Sequence, residues 1–213
     1  MSSAISVVPL AYEAQLTLDP AASAYDGAIS IRVRVEQPTP RVELTAQHLT
    51  LRQARAAIEA PKIEGIEAAI EPVSGSRVAL RLAKPLPAGE ARLWIRFAIA
   101  ADGGAIIRER NERGWRIATE ASLPEPALAF PCIDSAIKQA EWKLTLLLPE
   151  GMRAESNAAL EWERPAVAGW HEMSFARTPP LACSEIRFTA VQKSEVRSEI
   201  TERQDGRDRE KLK

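Results

Sequence analysis

Polar and apolar residues alternate one by one over long stretches of this chain. In GAISIRVRVE, Ile29, Ile31, Val33 and Val35 fall on one side of an extended backbone and Ser30, Arg32, Arg34 and Glu36 on the other. That is the pattern of a strand with one buried and one wet face. The same period runs through Tyr12, Ala14, Leu16 and Leu18, through Val78, Leu80 and Leu82, and through Leu93, Ile95, Phe97 and Ile99. It returns in Trp142, Leu144, Leu146 and Leu148.

Between these runs stand LDPAASAYDG, EQPTP, PVSGS, KPLPAGE, ADGG and LPEG, rich in the Gly, Pro, Asp and Ser that supply turn dihedrals. Short strands with one polar face and tight connections predict antiparallel meanders rather than βαβ units. The reading is all-β, a single domain of antiparallel sheets, sandwich-like or saddle-like, over residues 1–192. TAQHLTLRQARAAIEA has the Ala and Arg content of a helix, yet Leu49 and Leu51 alternate, which favours a strand with a wide bend. From Lys193 the pattern stops. Residues 193–213 hold seven basic and six acidic residues with Val196, Ile200 and Leu212 as the only large apolar ones, so a charged tail, helical or disordered, is expected there.

The chain has 213 residues, long enough to bury a core without staples. Its 28 basic residues against 29 acidic ones, a formal charge of -1, remove the electrostatic reason to expect a nucleic-acid partner. MSSAISVVPLAYEAQ has no basic region followed by an apolar stretch, and no apolar run reaches the length of a membrane span. A cytoplasmic protein with no membrane partner is the expectation. Cys132 and Cys183 lie far apart without CxxC spacing. Two reduced thiols are expected, a disulfide between them being possible.

Candidate chemistry is sparse. His171–Glu172 begins like the HExxH zinc motif, in which two histidines one helical turn apart hold the metal. Phe175 occupies the place of the second histidine. Only one other histidine exists, His48, and no GxSxG elbow or Gly-rich phosphate loop occurs. Cys132 follows Pro131 in an apolar setting that raises a thiol pKa, so it reads as an inert packed residue. Glu109 with Glu112, and Glu161 with Glu163, fall in charge-rich stretches and read as solvated. No metal and no cofactor are expected.

One stretch is more specific. AFPCIDSAIKQAEWKLTLLLPEGMRAESN carries Phe130, Pro131, Cys132, Asp134, Lys138, Ala140, Trp142, Pro149, Gly151, Met152, Ser156 and Asn157 in an order that resembles the N-terminal β domain of zinc aminopeptidases of the aminopeptidase N type, the gluzincins. Upstream, VVPLAYEAQLTLD, YDGAISI and PTPRVELTAQHLTL are similar to that domain's opening strand, hairpin and following strand; downstream, FARTPPLACSEIRFTAVQ looks like its closing strand. The resemblance covers about residues 7 to 192.

In that family the segment before FPC crosses from the β domain to the rim of the active site and holds the substrate's free α-amino group. The resemblance places the amine-binding position on Glu120 and its neighbour on Ser122, both departures from the usual residues. A glutamate still suits an ammonium group; a serine is too short for the usual contact. Pro126 and Ala127 replace a common Ala-Arg pair, and Asp134, Ser135 and Ala136 stand where Asp-Glu-Pro is usual, with Asp134 as a cap for the turn or short helix after it. Pro131 stiffens the approach by fixing its own φ and restricting Phe130.

The family's zinc ligands, its tyrosine and its GxMEN strand lie beyond this β domain, so the resemblance implies no peptide hydrolysis by this chain on its own. It implies a non-catalytic binding or assembly module, its partner a zinc peptidase domain or other protein, with peptide N-termini as ligands. Two alternatives stand beside it: an N-terminal fragment or subunit of a zinc aminopeptidase, and a pure scaffold.

Overall fold

The computed structural model describes residues 7–58, 64–102, 104–119, 128–133 and 139–192. They form strands β1 (Val7–Thr17), β2 (Ala24–Val35), β3 (Thr39–Thr45), β4 (Leu49–Ile58), β5 (Glu64–Ser74), β6 (Arg77–Leu86) and β7 (Gly89–Ala100). After these come β8 (Ile106–Asn111), β9 (Gly114–Thr119), β10 (Glu141–Pro149), β11 (Met152–Ser156), β12 (Leu160–Pro165), β13 (Trp170–Phe175) and β14 (Phe188–Gln192). A single turn of 3-10 helix spans Cys183–Glu185. The expected tail, residues 193–213, lies outside the described residues.

Ten strands make one sheet in the order β12-β13-β10-β1-β2-β7-β4-β5-β6-β3, and four make a second, β11-β14-β9-β8. The alternation read from the sequence is the alternation of burial. Ile31, Val33, Leu93, Ile95, Leu146 and Leu148 are at most 1% exposed, while Arg34 and Arg96 on the same strands face water. Burial of each such aliphatic side chain contributes roughly 1.5–3 kcal/mol.

Residues 49–58 form a strand, and the expected bend is there too. His48 adopts φ 59, and the register of β4 on β7 shifts between Leu51 and Gln53. Past this bulge Ala54 and Ala56 turn inward and Arg55 outward. One expectation needs correcting. The sheets are not wholly antiparallel, because β1 pairs with β10 in parallel, Tyr12 opposite Trp142 and Leu16 opposite Leu146. A period-two pattern fixes which face a residue takes but not strand direction; the long stretch between β1 and β10 leaves ample chain for a parallel return.

Arg108 on β8 ties the small sheet to the large one. Its guanidinium donates to the carbonyls of Pro20 (3.0 Å) and Ala22 (2.6 Å) and to Asp102 Oδ2 (2.5 Å), and lies 5.7 Å over the Trp115 ring. Tyr25 sits in the same corner, fully buried. Among the described residues no helix is long and apolar enough to cross a membrane.

Gly27 lies opposite Phe97 across the β2–β7 pair, and a Cβ there would run into the Phe97 ring, itself 1% exposed. Gly27→Ala should therefore lower stability by about 1–3 kcal/mol in urea unfolding. Burial pushes the Tyr25 phenol up from 10.0 to about 12, the nearby Arg108 charge offsetting part of that rise. The unfolded phenol ionises from pH 10 upward while the folded one holds its proton, so the unfolded state binds fewer protons and stability falls between pH 10 and 12. Tyr25→Phe should remove roughly 2 kcal/mol of the loss that unfolding curves at pH 9 and pH 11.5 register.

Candidate functional site

The stretch expected to carry function is held at both ends. Upstream, β9 ends at Thr119, whose hydroxyl accepts from the Phe188 amide (3.2 Å) and donates to the Phe188 carbonyl (3.4 Å). Glu120, Ser122, Pro126 and Ala127 lie outside the described residues, as do Asp134, Ser135, Ala136 and Lys138. Downstream, residues 128–133 are buried without exception.

Three devices hold that hexapeptide. The first is aromatic. Phe130, 1% exposed, meets Phe97 edge-on at 6.3 Å and Trp142 at 5.4 Å, and Trp142 in turn stacks on Tyr12 with ring centroids 4.2 Å apart. The parallel register that sets Tyr12 beside Trp142 creates this stack. The second is backbone pairing. The Cys132 amide donates to the Thr45 carbonyl (3.0 Å) and the Thr45 amide to the Cys132 carbonyl (2.7 Å), so Cys132 joins the end of β3; the Ile133 amide donates to Tyr12 Oη (3.2 Å).

The third is covalent, and it corrects the expectation of two reduced thiols: Cys132 and Cys183 form a disulfide, with Cα atoms 6.4 Å apart. Their separation of 51 residues hid the pairing, since the core that brings them together is built from other strands. Cys132 is fully buried and Cys183 is 4% exposed, so Cys132 is packed in the core but as half of a disulfide, not as the inert thiol read from its apolar setting.

The rest of the motif supports the far end of this bond. Gly151 takes φ 85 in the turn from β10 to β11, a left-handed conformation that glycine adopts without cost. Ser156 Oγ donates to the Arg187 carbonyl (2.9 Å), Asn157 Nδ2 donates to the Glu185 carbonyl (3.0 Å) and Asn157 Oδ1 accepts from the Arg187 amide (2.6 Å). The Ser-Asn pair therefore clasps the chain just after the 3-10 turn that carries Cys183. Sequence reasoning missed Thr45, Tyr12 and Thr178 as parts of this frame; Thr178 Oγ1 accepts from the Trp142 amide (3.1 Å). All three are small or amphipathic residues inside ordinary strand or loop patterns, with no local signal of the role.

The other candidates separate from this region. His171 lies on β13, 7% exposed, on the inward face with Met173 and Phe175 and in register with Leu148. This is a strand, not the helix that HExxH needs. Glu109 pairs with Arg116 (3.2 Å), Glu161 with Lys143 (2.6 Å) and Glu163 with Arg153, all on wet faces. Among the described residues no three His, Cys, Asp or Glu side chains converge to hold a metal ion.

Comparison with protein families matches residues 8–184 to the Peptidase M1 N-terminal domain. A search of curated proteins finds no match. The matched span takes in the whole hexapeptide and both cysteines.

Replacing both cysteines by serine should lower stability by about 2–4 kcal/mol for a closed loop of this length, and dithiothreitol should shift the urea midpoint of the unaltered chain in the same direction. Tyr12→Phe leaves the buried Ile133 amide without its acceptor and should cost about 1–3 kcal/mol in the same assay.

Proposed function

The chain belongs to the Peptidase M1 N-terminal domain family, and we propose that it works as a non-catalytic recognition and assembly domain, presenting residues 120–127 to peptide N-termini beside a zinc peptidase domain. The observation that carries this reading is the double anchorage of that stretch: Thr119 is fixed on Phe188 at one end and residues 128–133 are locked into the core at the other. Ends held this firmly reduce the ordering cost of any contact made between them. Glu120 supplies the charge that suits a free α-amino group, in line with the amine-binding position of the aminopeptidases that the sequence resembles.

The disulfide bears on where the domain works. Reducing compartments keep thiols reduced, so a Cys132–Cys183 bond favours an oxidising compartment over the cytoplasm expected from the N-terminal sequence.

Binding of a fluorescent peptide with a free N-terminus, compared with the same peptide acetylated, tests the reading. Free-amine peptide should bind more tightly to the unaltered chain, and Glu120→Ala should abolish the difference, a loss of about tenfold for one charge-assisted contact. Equal binding of both peptides would rule out an amine site. Release of an aminoacyl fluorophore by the pure chain supplied with zinc would instead place the catalysis in this polypeptide.

A further inference from the structure

We propose that the water-facing side of the ten-stranded sheet is a docking groove for an acidic peptide segment whose carboxylates alternate along an extended backbone. The groove, about 750 Å³, lies across β1, β2, β4, β7, β10, β12 and β13, on the face opposite the core. Five cations line it against two carboxylates, although the whole chain carries a net charge of -1. The lining of the groove therefore carries more positive than negative charge.

Most of those cations are already matched. Arg177 pairs with Glu13, Arg164 with Glu172 (2.6 Å) and Lys143 with Glu161 (2.6 Å). Arg55 and Arg96 are different: both are exposed and neither forms an ion pair among the described residues, although Glu67 stands opposite Arg55 across the β4–β5 pair. Arg55 lies over the Trp94 ring at 5.0 Å, which orients its guanidinium while leaving its hydrogen-bonding edge open.

The β4–β7 register fixes the spacing of the pair. Arg55 stands opposite Trp94 and Gln53 opposite Arg96, so the two arginines are diagonal neighbours on one face, about 7–8 Å apart. In an extended peptide, side chains two residues apart point the same way and repeat at about 7 Å. Two carboxylates separated by one residue match two guanidinium forks, each able to take a carboxylate through paired hydrogen bonds. Ser30 and Gln53 beside them offer donors and acceptors to the peptide's own backbone.

With Glu67 beside Arg55 on β5, the open cationic site is confined to the Arg55–Arg96 diagonal, which suits a peptide bearing its charges at intervals rather than the unbroken charge of a nucleic-acid backbone. A planar membrane surface does not enter a groove. The proposal is independent of the rim at Glu120, and the probe is capped so that the two cannot be confused.

The probe is a heptapeptide of alternating glutamate and serine, acetylated, amidated and fluorescently labelled, titrated against the full chain. Saturable binding is expected, weakening as salt rises, with a change in tryptophan emission from Trp94. Arg55→Ala/Arg96→Ala should weaken binding at least tenfold, and Arg96→Glu alone should do the same, while Arg110→Ala on the small sheet should have no effect. Circular dichroism melts should show the variants folded, since exposed substitutions of this kind usually stay within about 0.5 kcal/mol. Absence of saturable binding, undiminished binding by the double variant, or tighter binding of oligothymidine or phosphatidylserine vesicles at the same residues would each overturn the proposal.

Discussion

The buried hold on residues 128–133 is the constraint on which the rest depends. Phe130 closes an aromatic cluster with Phe97, Trp142 and Tyr12, Cys132 is bonded to Cys183 and paired with Thr45, and the Ile133 amide is capped by Tyr12. These contacts reach β1, β3, β7, β10 and the 3-10 turn, so six residues of irregular chain join elements that are distant in the strand order. Irregular backbone is costly to bury because its polar groups need partners. Here the amides of Cys132 and Ile133 find theirs in a strand end and a phenol, and Pro131 has no amide hydrogen to satisfy.

The two faces of the large sheet then divide the work. The inner face supplies the hydrophobic stabilisation and the aromatic seat for Phe130. The outer face carries the ion pairs, and exposed pairs of this kind contribute little to stability, typically about 0–1 kcal/mol. Their arrangement matters more for recognition: pairing along β1, β10, β12 and β13 leaves the unmatched charge on β4 and β7. The proposed docking groove thus lies on the side of the strands opposite the one that supplies stability.

Much of this was legible in the chain. Alternation along residues 27–36, 91–100 and 140–148 named the inward residues, and the turn clusters separated the strands. The motif around Phe130, Pro131, Gly151 and Asn157 pointed to the family that residues 8–184 match. Strand direction was not legible, since a period of two is the same for parallel and antiparallel neighbours. Nor was the disulfide, because 51 residues separate its halves and no local spacing marks them. The groove escaped for the same reason: Arg55 and Arg96 each look like an ordinary wet-face residue until the β4–β7 register makes them diagonal neighbours. Glu120, Ser122 and Asp134 rest on resemblance, as they lie outside the described residues.

Native-state hydrogen exchange at single-residue resolution tests the central claim most directly. The amides of Thr45, Cys132 and Ile133 should exchange only through global unfolding, with opening free energies equal to those of the slowest core amides in β2 and β7. Exchange of Cys132 and Ile133 through low-energy local openings, while the core strands stay protected, would show that the segment is not fixed by its surroundings and would contradict the account.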